Sequence, residues 1–156
     1  MKKALLIALT GFISAPSFSD NHHNIAFGHG TDQGGVLGFK YSINSDRSRL
    51  YASLGLLTYT DRTGFNPGYG IGGEYSVGSS RKSALGVFVG TVSGATLLDE
   101  KTTYDGAALT YNYYFQGFKN RGFILGTDIV YGESSNNYTR FNDKKVSSSL
   151  KLSYEW

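Results

Sequence analysis

Beyond residue 23, large and small side chains alternate one by one, the period of a half-exposed β-strand. The closing stretch is the clearest case. Val146, Leu150, Leu152, Tyr154 and Trp156 share one parity, and Ser147, Ser149, Lys151, Ser153 and Glu155 share the other. The pattern predicts eight strands, at 24–31, 36–43, 49–60, 68–77, 84–95, 103–115, 122–133 and 146–156. Between them lie DQGG, NSDRS, DRTGFNP, GSSRKS, TLLDEKT, QGFKNR and the longer SSNNYTRFNDKK, all rich in turn formers. No helix of useful length competes, and no linker or second domain is visible.

The alternation also has a direction. Leu37, Phe39, Tyr41 and Ile43 oppose Gly38, Lys40 and Ser42; Leu109, Tyr111, Tyr113 and Phe115 oppose Gly106, Ala108, Thr110 and Asn112. Phe123, Leu125, Ile129 and Tyr131 oppose Ile124, Gly126, Asp128 and Gly132. A barrel in water hides its large apolar residues. Here the opposite face is Gly, Ser, Ala and ions, which make a poor soluble core. Both faces make sense if the large residues meet lipid and the small ones fill a narrow interior. In lipid every backbone N–H and C=O must be paired, so the sheet must close. The predicted fold is all-β: an eight-stranded antiparallel up-and-down transmembrane β-barrel whose side chains fill its lumen.

That register decides GYGIGGEYSVG, residues 68 to 78. Gly68, Gly70 and Gly73 fit G-x-G-x-x-G, but that motif cradles a dinucleotide only after a strand and at a helix start. Here Asn66-Pro67 reads as a turn, and the residues that follow alternate. Gly70 and Gly72 are expected to face inward, and Gly73 to mark a bend. Aromatic residues are expected near both rims. Tyr41, Tyr75, Tyr113, Phe115, Phe123, Tyr154 and Trp156 belong to one, and Tyr59, Tyr69, Tyr104 and Tyr131 to the other.

Composition adds an address. Residues 1–19 read as a signal peptide: Lys2 and Lys3, an apolar run from Ala4 to Ala15, then small residues before Asp20. The run is too short to cross about 30 Å of hydrocarbon as a helix. Residues 20–156 form the barrel. Without the leader, 13 basic residues face 12 acidic ones, so the basic pI makes no case for nucleic acid. There is no cysteine for a disulfide or a thiolate.

The chain ends SLKLSYEW, an alternating strand with a terminal aromatic. This resembles the C-terminal signature of bacterial outer-membrane β-barrels, which the barrel-assembly machinery reads. Together with the leader and the strand count, the chain resembles small outer-membrane proteins of the OmpX/Ail or OmpA-membrane-domain kind. The resemblance implies a monomer in the Gram-negative outer membrane, with lipids and lipopolysaccharide as neighbours. The loops depart from the OmpX/Ail pattern, reading as short and without protruding hairpins.

Five ionisable residues are expected in the lumen: Lys40, Glu74, Asp128, Lys151 and Glu155, with Asp128 close to Lys151. Buried charges persist only when paired and hydrogen-bonded. The set reads as a salt-bridged plug, or alternatively as a narrow ion path. Charge also sorts along the axis. The periplasmic turns hold Arg47, Arg49, Arg81, Lys82, Lys119 and Arg121 against Asp46, a basic collar for anionic headgroups. The loop 134–145 carries Tyr138, Arg140, Phe141, Lys144 and Lys145, which suit lipopolysaccharide phosphates and sugars. If cleavage follows Ser19, Asp20, Asn21 and His22 would form a square-planar nitrogen site for Cu(II) or Ni(II). No cofactor is otherwise expected. Catalysis lacks a Ser/His/acid set on one lipid-facing patch; His29 is the only histidine well inside a strand. The expected role is structural or surface-interactive in the cell envelope. The alternatives are a lipid A-modifying acyl hydrolase or acyltransferase, and a narrow pore.

Overall fold

The structure is a computed structural model that describes residues 22–61, 64–97, 100–134 and 144–156. The expected leader, residues 1–19, lies outside them. Eight strands follow in order: β1 (His22–Gly30), β2 (Gly35–Asn44), β3 (Ser48–Thr60), β4 (Gly64–Val77), β5 (Ser83–Leu97), β6 (Glu100–Tyr114), β7 (Gly122–Ser134) and β8 (Lys144–Glu155). Each pairs antiparallel with the next, and β1 pairs with β8, so the sheet closes into an up-and-down barrel. The expected strands are all present. β4 starts earlier than the sequence suggested, because Pro67 pairs with Leu56 instead of ending a turn. Pro67 is tolerated there because β4 pairs with β5 only from Gly70 onward, so no ladder bond is asked of its missing N–H.

The two faces sort as the alternation predicts. Leu37, Phe39, Leu54, Ile71, Leu109, Ile129 and Leu152 point outward and are exposed. Lys40, Ser42, Glu74, Ser76, Thr110, Asn112 and Asp128 point inward and are buried. Large residues are not confined to the outside, however. Tyr51, Phe88, Val92, Tyr104, Ala108 and Val130 form a buried apolar cluster in the lumen. Tyr104, expected at a rim, is therefore an interior residue; its even parity in β6 matches Gly106 and Ala108. Gly70 and Gly72 make room for this cluster. A Cβ on Gly70 would collide with the Phe88 ring, and one on Gly72 with the Tyr51 ring. Gly73 marks no bend: it sits in unbroken register between Leu50 and Val87. The irregularities fall at Leu56/Thr58 and Thr91/Ser93 instead, and at Gly28/Gly30. After the first of these the facing of β3 inverts, so Leu57 is buried while Tyr59 is exposed.

One end of the barrel carries His22, Trp156 and the three tight turns; the other carries the longer hairpin tips. At the tip end, the connection from β1 to β2 is a single 3-10 turn, Thr31–Gln33, with all three residues buried. It folds into the lumen. The space it occupies is cleared by glycines on neighbouring strands. A Cβ on Gly38 would strike the Gln33 carbonyl oxygen, and one on Gly68 the Gly34 carbonyl oxygen. Asp32, expected in an outer loop, is thus an interior residue. At the same end β5 and β6 stay paired up to Leu97↔Glu100, although β4 leaves β5 after Gly70↔Gly90. The hairpins of β3–β4 and β5–β6 therefore rise past the closed wall, where the sequence suggested short loops.

Candidate functional site: the ion network of the lumen

The lumen is crossed by a connected set of charges, with Arg49 at its centre. Alternation from Tyr51 and Ser53 turns the first residues of β3 inward, so Arg49 points into the barrel and is fully buried. All five of its N–H donors have acceptors. Nη1 and Nη2 donate to the Glu155 carboxylate at 2.6 and 2.8 Å, a two-point pair. Nε donates to Asn44 Oδ1 at 2.6 Å, Nη1 also to the Tyr114 hydroxyl at 3.0 Å, and Nη2 to the Phe118 carbonyl at 2.8 Å. The guanidinium also lies over the Tyr114 and Phe118 rings, at 4.9 and 4.8 Å from their centres. Phe118 belongs to the turn between β6 and β7 and tucks beneath Arg49, so this turn closes the terminal end.

From Arg49 the network runs toward the tips. The Tyr114 hydroxyl donates to Glu74 Oε2. Glu74 Oε1 accepts from Asn112 at 3.0 Å and pairs with Lys40 at 3.2 Å. Lys40 reaches Asp32 at 3.2 Å and lies 4.8 Å from the centre of the Tyr51 ring. Asp32 also meets Lys151 at 3.3 Å. Asn24 donates to Glu155 at 2.6 Å, so β1 joins the set. Arg49, Lys40 and Lys151 thereby balance Glu155, Glu74 and Asp32. Such balance is what lets buried charge persist, since removing one partner leaves an uncompensated ion.

All five expected lumen residues are buried, and four of them belong to this network. Asp128 does not pair with Lys151. The register sets Lys151 opposite Gly126 and Asp128 opposite Ser149. Asp128 Oδ1 instead accepts from Ser149 N at 3.1 Å and Ser149 Oγ at 2.9 Å. Its Oδ2 has no partner among the described residues. Three ionisable members were missed: Arg49 and Asp32, which read as turn residues, and Tyr114.

With Arg49 inside, the turn collar loses one cation. Asp46 bridges two of the others, accepting from Arg81 Nη1 and Lys119 Nζ at 2.9 Å each. The hydrogen bonds from Lys119 and Arg81 hold the Asp46 carboxyl below its ordinary range. Lys82 and Arg121 lie in the same turns. Of the tip-loop residues, Arg140, Tyr138 and Phe141 lie outside the described residues. Lys144 stands opposite Glu133. Lys145 Nζ donates to Ser93 Oγ at 2.8 Å and lies over the Tyr104 ring. Of the expected metal ligands, Asp20 and Asn21 lie outside the described residues, and His22 opens β1 opposite Asn44. His29 and Ser149 line one cleft, yet the Ser149 hydroxyl donates to Asp128 and His29 Nδ1 donates to the Val36 carbonyl at 3.1 Å. They do not hydrogen-bond each other.

Comparison with protein-family models, with curated proteins and with solved structures finds no match for the chain.

Proposed function

We propose that the chain is an integral barrel of the Gram-negative outer membrane, exported by its leader, with a structural or surface-contact role and a lumen sealed by its own charges. The observation that carries this reading is the inversion of polarity. Large apolar residues from Ile25 to Trp156 are exposed around the wall, while Arg49, Lys40, Glu74 and Glu155 are fully buried. Water would penalise the first set and favour exposing the second; hydrocarbon reverses both terms. Two aromatic belts support the reading. Tyr41, Tyr75, Phe115, Phe123, Tyr154 and Trp156 ring the terminal end, and Tyr59, Phe65, Tyr69 and Tyr131 stand toward the tips, all exposed.

On this reading the terminal end is periplasmic. Lys82 and Arg121, with Arg81 and Lys119 beyond their shared Asp46, meet anionic headgroups there, and Lys144 faces lipopolysaccharide outside, whereas Lys145 turns into the barrel mouth onto Ser93. The barrel acts as a monomer. A mature N-terminus at Asp20 would add a Cu(II) or Ni(II) site with Asn21 and His22. The test is fractionation of cells that express the full chain. The expected result is recovery in the outer-membrane fraction and, after purification, a folded form in dodecyl maltoside that migrates differently on gels when boiled. Recovery as a soluble globule without detergent would sink the proposal.

A further inference from the structure

The barrel rim is notched at β1. Ile25 and Trp156 exchange both backbone hydrogen bonds, at 3.2 and 3.0 Å. Alternation along an antiparallel ladder then turns the backbone groups of Tyr154, Leu152, Leu150, Ser148 and Val146 toward the same side. β1 answers only the first two. Its pairing with β8 ends at His29↔Leu152, and the strand itself ends at Gly30 before the chain turns inward. Among the described residues, Leu150, Ser148 and Val146 have no backbone partner on that side. Val146 and Leu150 are accordingly 72% and 75% exposed, more than any other large apolar residue described.

Behind this gap lies an open cleft of about 190 Å³. His29 and Thr31 border it from β1 and the inward turn, Leu57 from β3, Val92 and Ser93 from β5, and Ser149 from β8. Its lining mixes the apolar Val36, Leu57 and Val92 with the polar His29, Thr31, Ser93 and Ser149, and its volume suffices for the end of one acyl chain. The depth follows from the outer-membrane reading, on which this inference rests. Val146 pairs with Tyr131 of the outer aromatic belt and lies ten residues from Trp156 of the inner one. Ten tilted residues rise about 25 Å, the height of the apolar band. β1 rises only five residues beyond Ile25, about half as far. The gap therefore opens toward the outer half of the hydrocarbon.

A plain hydrocarbon chain in the gap would leave the free backbone groups of β8 unpaired in oil. Water alone would have to stand in the acyl layer. The occupant needs apolar bulk and hydrogen-bonding groups on one chain. We propose that the notch binds an amide- and hydroxyl-bearing acyl chain of the outer leaflet, the chemistry of lipid A. The chain lies where β1 would have continued. Its amide and hydroxyl groups meet the backbone of Ser148 and Leu150, and its end enters the cleft against Leu57 and Val92. Lys144 stands near the upper end of the notch, on the headgroup side.

Amide hydrogen exchange of the full barrel in dodecyl maltoside tests this, with purified hexa-acyl lipid A and dioleoyl phosphatidylglycerol as the two probes. Lipid A is expected to slow exchange at Val146, Ser148 and Leu150 about tenfold, and phosphatidylglycerol to leave it unchanged. Val92→Phe, which fills the cleft, should remove the protection by lipid A. The wild-type comparison stands even if that variant does not fold. No slowing by lipid A, or equal slowing by phosphatidylglycerol, overturns the proposal. A chain that forms no barrel in micelles would instead sink the membrane reading.

Discussion

Arg49 is the residue on which the interior depends most. It spends every donor, and its carboxylate partner Glu155 is as deeply buried as it is. Truncating one partner of such a pair leaves the other charged and unpaired, at about 3–5 kcal/mol. Glu155→Gln should therefore lower the unfolding free energy by about 3 kcal/mol, read from urea titration of the vesicle-inserted barrel. The double variant Arg49→Met/Glu155→Leu should lose less than the two single losses added together, because it leaves no orphan charge. Simple additivity would show that the pair is not coupled. The alternation of β3 already contained this residue. Arg49 shares parity with Tyr51, Ser53 and Gly55, but it adjoins the turn NSDRS and reads as part of that turn's basic cluster. Tyr114 was legible too, because it lies inside the strand predicted at 103–115 and follows Asn112 on the inward face of β6. The Asp128–Lys151 pairing failed for another reason. Both residues face inward, but register decides which atoms meet, and Asp32 arrives from a different element to take the lysine.

At the scale of elements, the inward turn Thr31–Gln33 is what alternation could not reveal. Its sequence, with two glycines after Gln33, reads as an ordinary hairpin tip. Its direction is set by Gly38, Gly55 and Gly68, on three different strands, which together leave a shelf of bare backbone. Gly38→Ala puts a methyl group where the Gln33 carbonyl sits and should force the turn out of the lumen. The expected outcome is a barrel that still folds but is cut by proteinase K between residues 30 and 36, where the wild type resists. A resistant variant would mean that the wall yields and the turn stays. Strand count, strand order and facing were legible because period-two patterning is local. The protruding hairpins were not, because β4 and β5 part company at Gly70 and Gly90 without any change in their own alternation.

For the whole molecule, the network and the two inward-folded connections fill the lumen from both ends. Phe118 closes one end beneath Arg49, and the 3-10 turn closes the other above Lys40 and Lys151. The purified barrel in planar bilayers is therefore expected to give no stepwise current. Steady single-channel steps from the wild type would replace the plug by an ion path. Which of the two the five sequence-predicted charges formed could not be read from the chain alone. It depends on Asp32 and Arg49, which complete the neutralisation.

The Arg49–Glu155 pair joins the third strand to the eighth, and the Asn24 contact to Glu155 brings in the first. A wall without its final strand lacks the carboxylate that Arg49 holds at two points. Docking of the C-terminal strand brings that carboxylate to the guanidinium. Closing the seam and pairing the buried charge therefore coincide.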